Sequence, residues 1–204
     1  MSNAAKQLQA AYDVQGRLAQ VFDRVAFIGG TAINVVAMAS GSKSVSARST
    51  HDLDIVVDPQ NINESLRKAT GLGFTPERGR KENLHLIDRA SGMRIDLFYS
   101  RPIGNELKIG IEEILASAVE RTAKMSGREY TFSVANPALL VLSKWMAGRR
   151  PDRQESDFSD IARVITSEYG TTEEFLTREM PVLAAHVPEH KWEAFVADIK
   201  GIKR

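Results

Sequence analysis

The sequence predicts an α+β fold: a mixed β-sheet flanked by helices, followed by a helical C-terminal part. Three observations carry this. Apolar or β-branched runs of strand length recur up to residue 134, and both helices and hairpin turns separate them. From Asn136 onward the pattern is helical to the end. The 204 residues, 43% hydrophobic and 26% charged, suit an ordinary globular chain with a substantial core. The expected division is an α/β domain over residues 1–135 and a helical domain over 136–204.

Residues 6–24 carry an amphipathic stripe of Leu8, Ala11, Tyr12, Leu18, Val21 and Phe22, which predicts a helix. Residues 25–28 form a short apolar run ending at Gly29-Gly30, a buried strand entering a tight turn. Thr31 is the expected cap of the next helix, through Ala32, Ile33, Val35, Val36 and Met38. Residues 40–50 are small and polar, the chemistry of a loop. The β-branched run 53–57 is the second strand, closed by Asp58-Pro59. A helix is expected over 62–72, ending at Gly71 and Gly73. Residues 84–87 and 93–99 read as strands of one hairpin, 111–122 as a helix and 129–134 as a further strand.

Asn136-Pro137 is a start signal, an N-cap followed by proline at the first helical position. Helices are then expected over 139–147, 157–165, 172–185 and 188–199. Trp192, Phe195, Val196 and Ile199 line one face of the last.

Composition excludes several classes of chemistry. With no cysteine there are no disulfides, thiolate nucleophiles or zinc–thiolate sites. The absence fits a reducing cytoplasm. No stretch has the apolar length of a membrane span, and the N-terminus has no signal-peptide character. A net charge of +1 does not announce a nucleic-acid binder. Basic residues bunch at Arg78, Arg80 and Lys81, at Arg149, Arg150 and Arg153, and at Lys200, Lys203 and Arg204. Each cluster taken singly reads as solvated surface.

The carboxylates carry the chemistry. Side chains two apart on a strand share a face, so Asp52 and Asp54 point together while Leu53 and Ile55 turn to the packed side. Paired carboxylates repel unless one is protonated or a cation lies between them, and oxygen ligands of this kind suit Mg²⁺. Asp96, between Ile95 and Leu97 in another apolar strand, is a charge that a shared metal explains. Gly29-Gly30, between strand and helix, lets a backbone approach a phosphate, which free N–H groups and the helix dipole favour. Each feature alone has a plain account: an exposed Asp-x-Asp turn, an edge-strand aspartate facing solvent, an ordinary tight turn. The spacing is neither a GxxxxGK[ST] loop nor GxGxxG. His51 and His85 read as structural.

Gly29-Gly30-Thr31-Ala32, then Arg48-x-Thr50-x-Asp52-Leu53-Asp54-Ile55, then Arg94-Ile95-Asp96-Leu97-Phe98 resemble the polymerase-β-type nucleotidyltransferase superfamily. The closer similarity is to its AbiEii-like abortive-infection toxin branch, where a C-terminal Lys and a downstream Asp-x-x-Asp also occur. Lys144, Arg149-Arg150 and Asp157-Phe158-Ser159-Asp160 fill that arrangement here.

The resemblance implies a nucleotidyltransferase-like fold and transfer of a nucleotide from an NTP to an acceptor. It implies two Mg²⁺ ions, with Mn²⁺ as substitute, held by Asp52, Asp54 and Asp96 across an in-line displacement. Asp96 would also accept the attacking hydroxyl's proton. Gly29, Gly30, Arg48, Thr50, Lys144, Asp157 and Asp160 would form the nucleotide site, with Lys144 neutralising triphosphate charge. The implied acceptor is tRNA or a protein, with the chain as the toxin of a toxin–antitoxin pair and a cognate antitoxin as partner. Phosphate contacts require Lys and Arg, so the clusters at 149–153 and 200–204 lean toward RNA. The alternatives are transfer to a small molecule such as an antibiotic, or a non-catalytic nucleotide-binding module of the same fold.

Overall fold

The computed structural model describes residues 3–41, 52–58, 60–78, 84–100, 102–103, 109–148 and 152–202. The elements run α1 (Asn3–Leu18), β1 (Val25–Ile28), α2 (Gly29–Ala39), β2 (Asp52–Val57), α3 (Ile62–Gly71), β3 (Phe74–Arg78), β4 (Leu84–Asp88) and β5 (Arg94–Phe98). They continue α4 (Ile111–Ala116), β6 (Val119–Met125), β7 (Arg128–Val134), α5 (Pro137–Gly148), α6 (Gln154–Glu168), α7 (Thr172–Arg178), α8 (Met180–His186) and α9 (Glu189–Gly201). No helix among the described residues is long and apolar enough to cross a membrane.

The described strands form one seven-stranded sheet in the order β3-β4-β5-β2-β1-β7-β6. β2 runs parallel to β5 and antiparallel to β1, and β1 runs parallel to β7. This mixed sheet gives the expected α+β class.

Strand alternation sorts the two faces. Leu53, Ile55, Ile95, Leu97, Leu86, Phe74, Phe27 and Phe132 are buried on one of them. α1 covers that face: Tyr12 packs edge-on against Tyr130 and Phe132, with ring centroids 5.1 and 5.7 Å apart. Gln15 accepts from the Ser133 N–H, and Arg17 donates to Asp88 at 2.8 Å while its guanidinium lies over Phe74. The opposite face carries Asp52, Asp54, Arg94, Asp96 and His85, and there the chemistry gathers.

Local differences from expectation have physical reasons. α1 ends at Leu18, where the N–H groups of Val21 and Phe22 turn back onto the Leu18 carbonyl to lead into β1. Thr31 is not the N-cap: α2 starts at Gly29, and Thr31 is buried inside it. The helix expected over 111–122 stops at Ala116 and gives way to β6, whose Val-Glu-Arg-Thr-Ala-Lys-Met composition hides a strand with one wet face. β3 was not expected, because Pro76 is a poor strand residue; it sits at the sheet edge, where proline is tolerated. The helix expected over 172–185 breaks into α7 and α8 ahead of Pro181. Asn136 behaves as expected, its Oδ1 accepting from Ala138 N–H at 2.8 Å beside Pro137.

Candidate active site

β2 and β5 set the centre. Their parallel register puts Asp54 beside Asp96 and Asp52 beside Arg94 on one face. Asp96 therefore lies on an interior strand rather than at an edge.

Asp54 is also the register partner of Ile28, the last residue of β1, so it meets the start of α2. Gly29 has a left-handed backbone (φ 63°), and a Cβ built on it would collide with Asp54 Oδ2. The glycine is required twice over, by its conformation and by the carboxylate that fills the space of its missing side chain. Burial, then the charge of Asp96, push the Asp54 carboxyl up to about 6, against the opposing pull of Lys144 and Arg153; Asp52 adds to the rise.

α5 and α6 supply a second cluster. Lys144 Nζ donates to Asp157 Oδ1 at 2.9 Å and lies 2.8 Å from Asp160 Oδ2. Both aspartates are buried, at 3% and 4% exposure. Burial alone would lower the Lys144 pKa, but Asp160 and Asp157 outweigh it and hold the amine above its usual value. Arg163 extends the cluster, 3.5 Å from Asp160 and donating to Asn34 Oδ1 at 2.9 Å, which ties α6 to α2. Asp157 Oδ2 is buried, with no hydrogen-bond partner among the described residues.

The residues expected from sequence thus assemble in two groups. Asp52, Asp54 and Asp96 share a sheet face with Gly29 at its border, and Lys144, Asp157 and Asp160 form a buried ion cluster. Arg48, Thr50, His51, Arg149 and Arg150 lie outside the described residues. Among the described residues, no three acidic or histidine side chains converge into a ready-made metal cage.

Sequence reading missed four contributors. His85, read from sequence as structural, has its Nδ1 2.6 Å from Asp96 Oδ1. The signal was present in the Asp88–Gly92 turn, since counting back from that hairpin sets His85 opposite Asp96. Arg94 donates Nε–H to the same Asp96 oxygen at 2.9 Å. Arg163 and Asn34 gave no local signal, because their contact spans 129 positions.

Compared with models of known families, residues 15–198 match one described as nucleotidyl transferase AbiEii toxin, type IV TA system. Curated protein sequences give no match. Among solved structures, the crystal structure of ANT(2'')-Ia in complex with adenylyl-2''-tobramycin is similar with a TM-score of 0.55 at 13% identity, over 96% of this chain and 97% of that one. The solution structure of the antibiotic-resistance factor ANT(2'')-Ia is similar with a TM-score of 0.53 at 13% identity, over 86% of this chain and 96% of that one. At such identity the likeness speaks to the fold.

Proposed function

The chain belongs to the AbiEii nucleotidyltransferase toxin family, and from that premise we propose that it moves a nucleotide from an NTP to an acceptor hydroxyl at the sheet face of Asp52, Asp54 and Asp96. The observation that carries this reading is the pairing of Asp54 with Asp96 beside the glycine start of α2.

The donor set fits a divalent cation. It is all carboxylate, and Asp54 is raised to about 6 by burial and by the charge of Asp96, a cost that a cation between them would remove. Mg²⁺ ordinarily takes one or two carboxylates and completes its shell with substrate phosphates, so a full protein cage is not needed. Asp52, Asp54 and Asp96 would hold the metal, which when bound supplies positive charge to the transferring phosphoryl group.

The remaining roles fall to residues of the chain itself. Gly29 and Gly30 leave backbone rather than side chain at the head of α2, where a phosphate is favoured. Lys144, kept protonated by Asp157 and Asp160, contributes positive charge felt at Asp54. The two aspartates act through Lys144, since their burial keeps them from the nucleotide. Asp96 would also accept the acceptor's proton, held in place by the two donors to its Oδ1. Residues 136–204 serve as a helical part that brings Lys144 to the sheet.

An RNA acceptor is favoured by Arg153, whose charge reaches Asp54 from the basic cluster at 149–153. The second reading, a small-molecule acceptor, draws on the near full-length likeness to ANT(2'')-Ia. The two separate in one experiment: incubate the protein with each labelled NTP, Mg²⁺ and either total tRNA, cell protein or aminoglycosides. Label on RNA or protein supports the toxin-type reading. Label on the antibiotic alone supports the second, and label on none of them contradicts both.

A further inference from the structure

On the premise of that reading, we infer that His85 is a positioning residue for Asp96, fixing with its Nδ1–H which carboxylate oxygen serves the cation. β4 and β5 are antiparallel neighbours, and their register sets His85 directly opposite Asp96. The imidazole is 7% exposed, and its Nδ1 lies 2.6 Å from Asp96 Oδ1. Arg94 completes the triangle: Nε–H donates to Asp96 Oδ1 at 2.9 Å, and Nη2 lies 3.0 Å from His85 Nε2.

Hydrogen-bond chemistry fixes the donor. A carboxylate accepts only, so the ring nitrogen in contact with it must carry the hydrogen. Arg94 Nη2 lies 3.0 Å from Nε2 and 3.2 Å from Nδ1, nearly equidistant, so the guanidinium sits over the ring face and leaves the Nδ1 contact to Asp96. The contact therefore assigns a hydrogen to Nδ1, which donates to Asp96 Oδ1. A ring so engaged has no site at Nδ1 for a proton arriving from Asp96. His85 is a fixed donor, not a relay.

The consequence is orientation. With Oδ1 accepting from both His85 and Arg94, Asp96 keeps its rotamer and offers Oδ2. Arg94 is half exposed and bound to that face from outside, while His85 is buried. Hydrogen bonds that orient a ligating carboxylate typically contribute roughly tenfold to hundredfold in metal affinity or activity.

The test is to titrate Mn²⁺ into the full chain and follow the electron paramagnetic resonance signal of free Mn²⁺. Wild type, Asp54→Asn, His85→Leu and His85→Asn are compared, each checked for its melting temperature. Asp54→Asn should weaken binding. His85→Leu should weaken it roughly tenfold to hundredfold, and His85→Asn, whose amide donates from near the Nδ1 position, should recover most of that loss. Binding by a folded His85→Leu equal to that of wild type overturns the inference and leaves the site reading standing. Wild-type binding indifferent to Asp54→Asn overturns the site reading and this inference together. Should His85→Leu not fold, nitrogen NMR of the wild-type imidazole decides. A hydrogen on Nδ1 is expected, and a ring with its hydrogen on Nε2 alone overturns the inference.

Discussion

Gly29 and Asp54 occupy each other's space: the carboxylate of Asp54 fills the position that a Cβ on Gly29 would need. A strand carboxylate and a helix start are thereby locked together at the candidate site.

Gly29→Ala should therefore be costly on two counts. An L-residue at φ 63° carries roughly 1–2 kcal/mol of strain, and the collision with Oδ2 adds to it. A urea melt should show a loss of at least about 2 kcal/mol. The loss should shrink in an Asp54→Gly background, where the collision is gone. Equal costs in both backgrounds would mean that the contact is unimportant.

The raised Asp54 carboxyl predicts an unusual pH dependence. Below the ordinary value of 3.8 the group is protonated in both folded and unfolded chains. Between there and about 6 only the folded chain keeps the proton, so stability should fall as pH rises through that window. Above it the full loss remains, on the order of 3 kcal/mol. Asp54→Asn should flatten this part of the profile and be the more stable protein at neutral pH. Denaturation from pH 4 to 7.5 checks it.

Asp88 predicts the opposite trend. Burial alone would raise its pKa, but hydrogen bonds from Arg17, Ser91 and the Ala90 N–H outweigh it and bring it down to about 2. Its stabilisation is present above the unfolded value of 3.8 and is lost as pH falls toward about 2. Arg17→Met should remove roughly 3 kcal/mol or more at neutral pH, because Asp88 is left buried without a counter-charge. The loss should diminish in acid.

Lys144→Met should leave Asp157 and Asp160 as buried carboxylates whose remaining ion pair among the described residues is the longer one from Arg163 to Asp160. A cost of about 3–5 kcal/mol is expected. Lys144→Met combined with Asp157→Asn and Asp160→Asn should regain most of the stability without regaining transfer activity. Recovery of activity in the triple variant would exclude Lys144 from the site.

The site was legible to the extent that strand period and burial carry it. Asp52, Asp54 and Asp96 stand out because charges interrupt apolar runs at strand spacing. Gly29 was marked as a position needing glycine, and the structure adds a reason that local sequence does not carry: Asp54 Oδ2 lies where its Cβ would be. Lys144 with Asp157 and Asp160 came from family resemblance, and α5–α6 packing brings them together. His85 was missed because its partner is set by the hairpin's cross-strand register, which has to be counted from the turn, rather than by neighbours in sequence. β6 was hidden because a strand wet on one face and short of apolar residues has no clear period. Arg163 with Asn34 is a purely tertiary contact.

The most direct measurement of the central claim is transfer of label from an NTP to acceptor by wild type and by Asp54→Asn, with the fold of both verified by circular dichroism. The account predicts Mg²⁺-dependent transfer by wild type and a loss of roughly a thousandfold or more in the variant, as expected when a group acting on the transferring phosphoryl is removed. Transfer by a folded Asp54→Asn at the wild-type rate would contradict it.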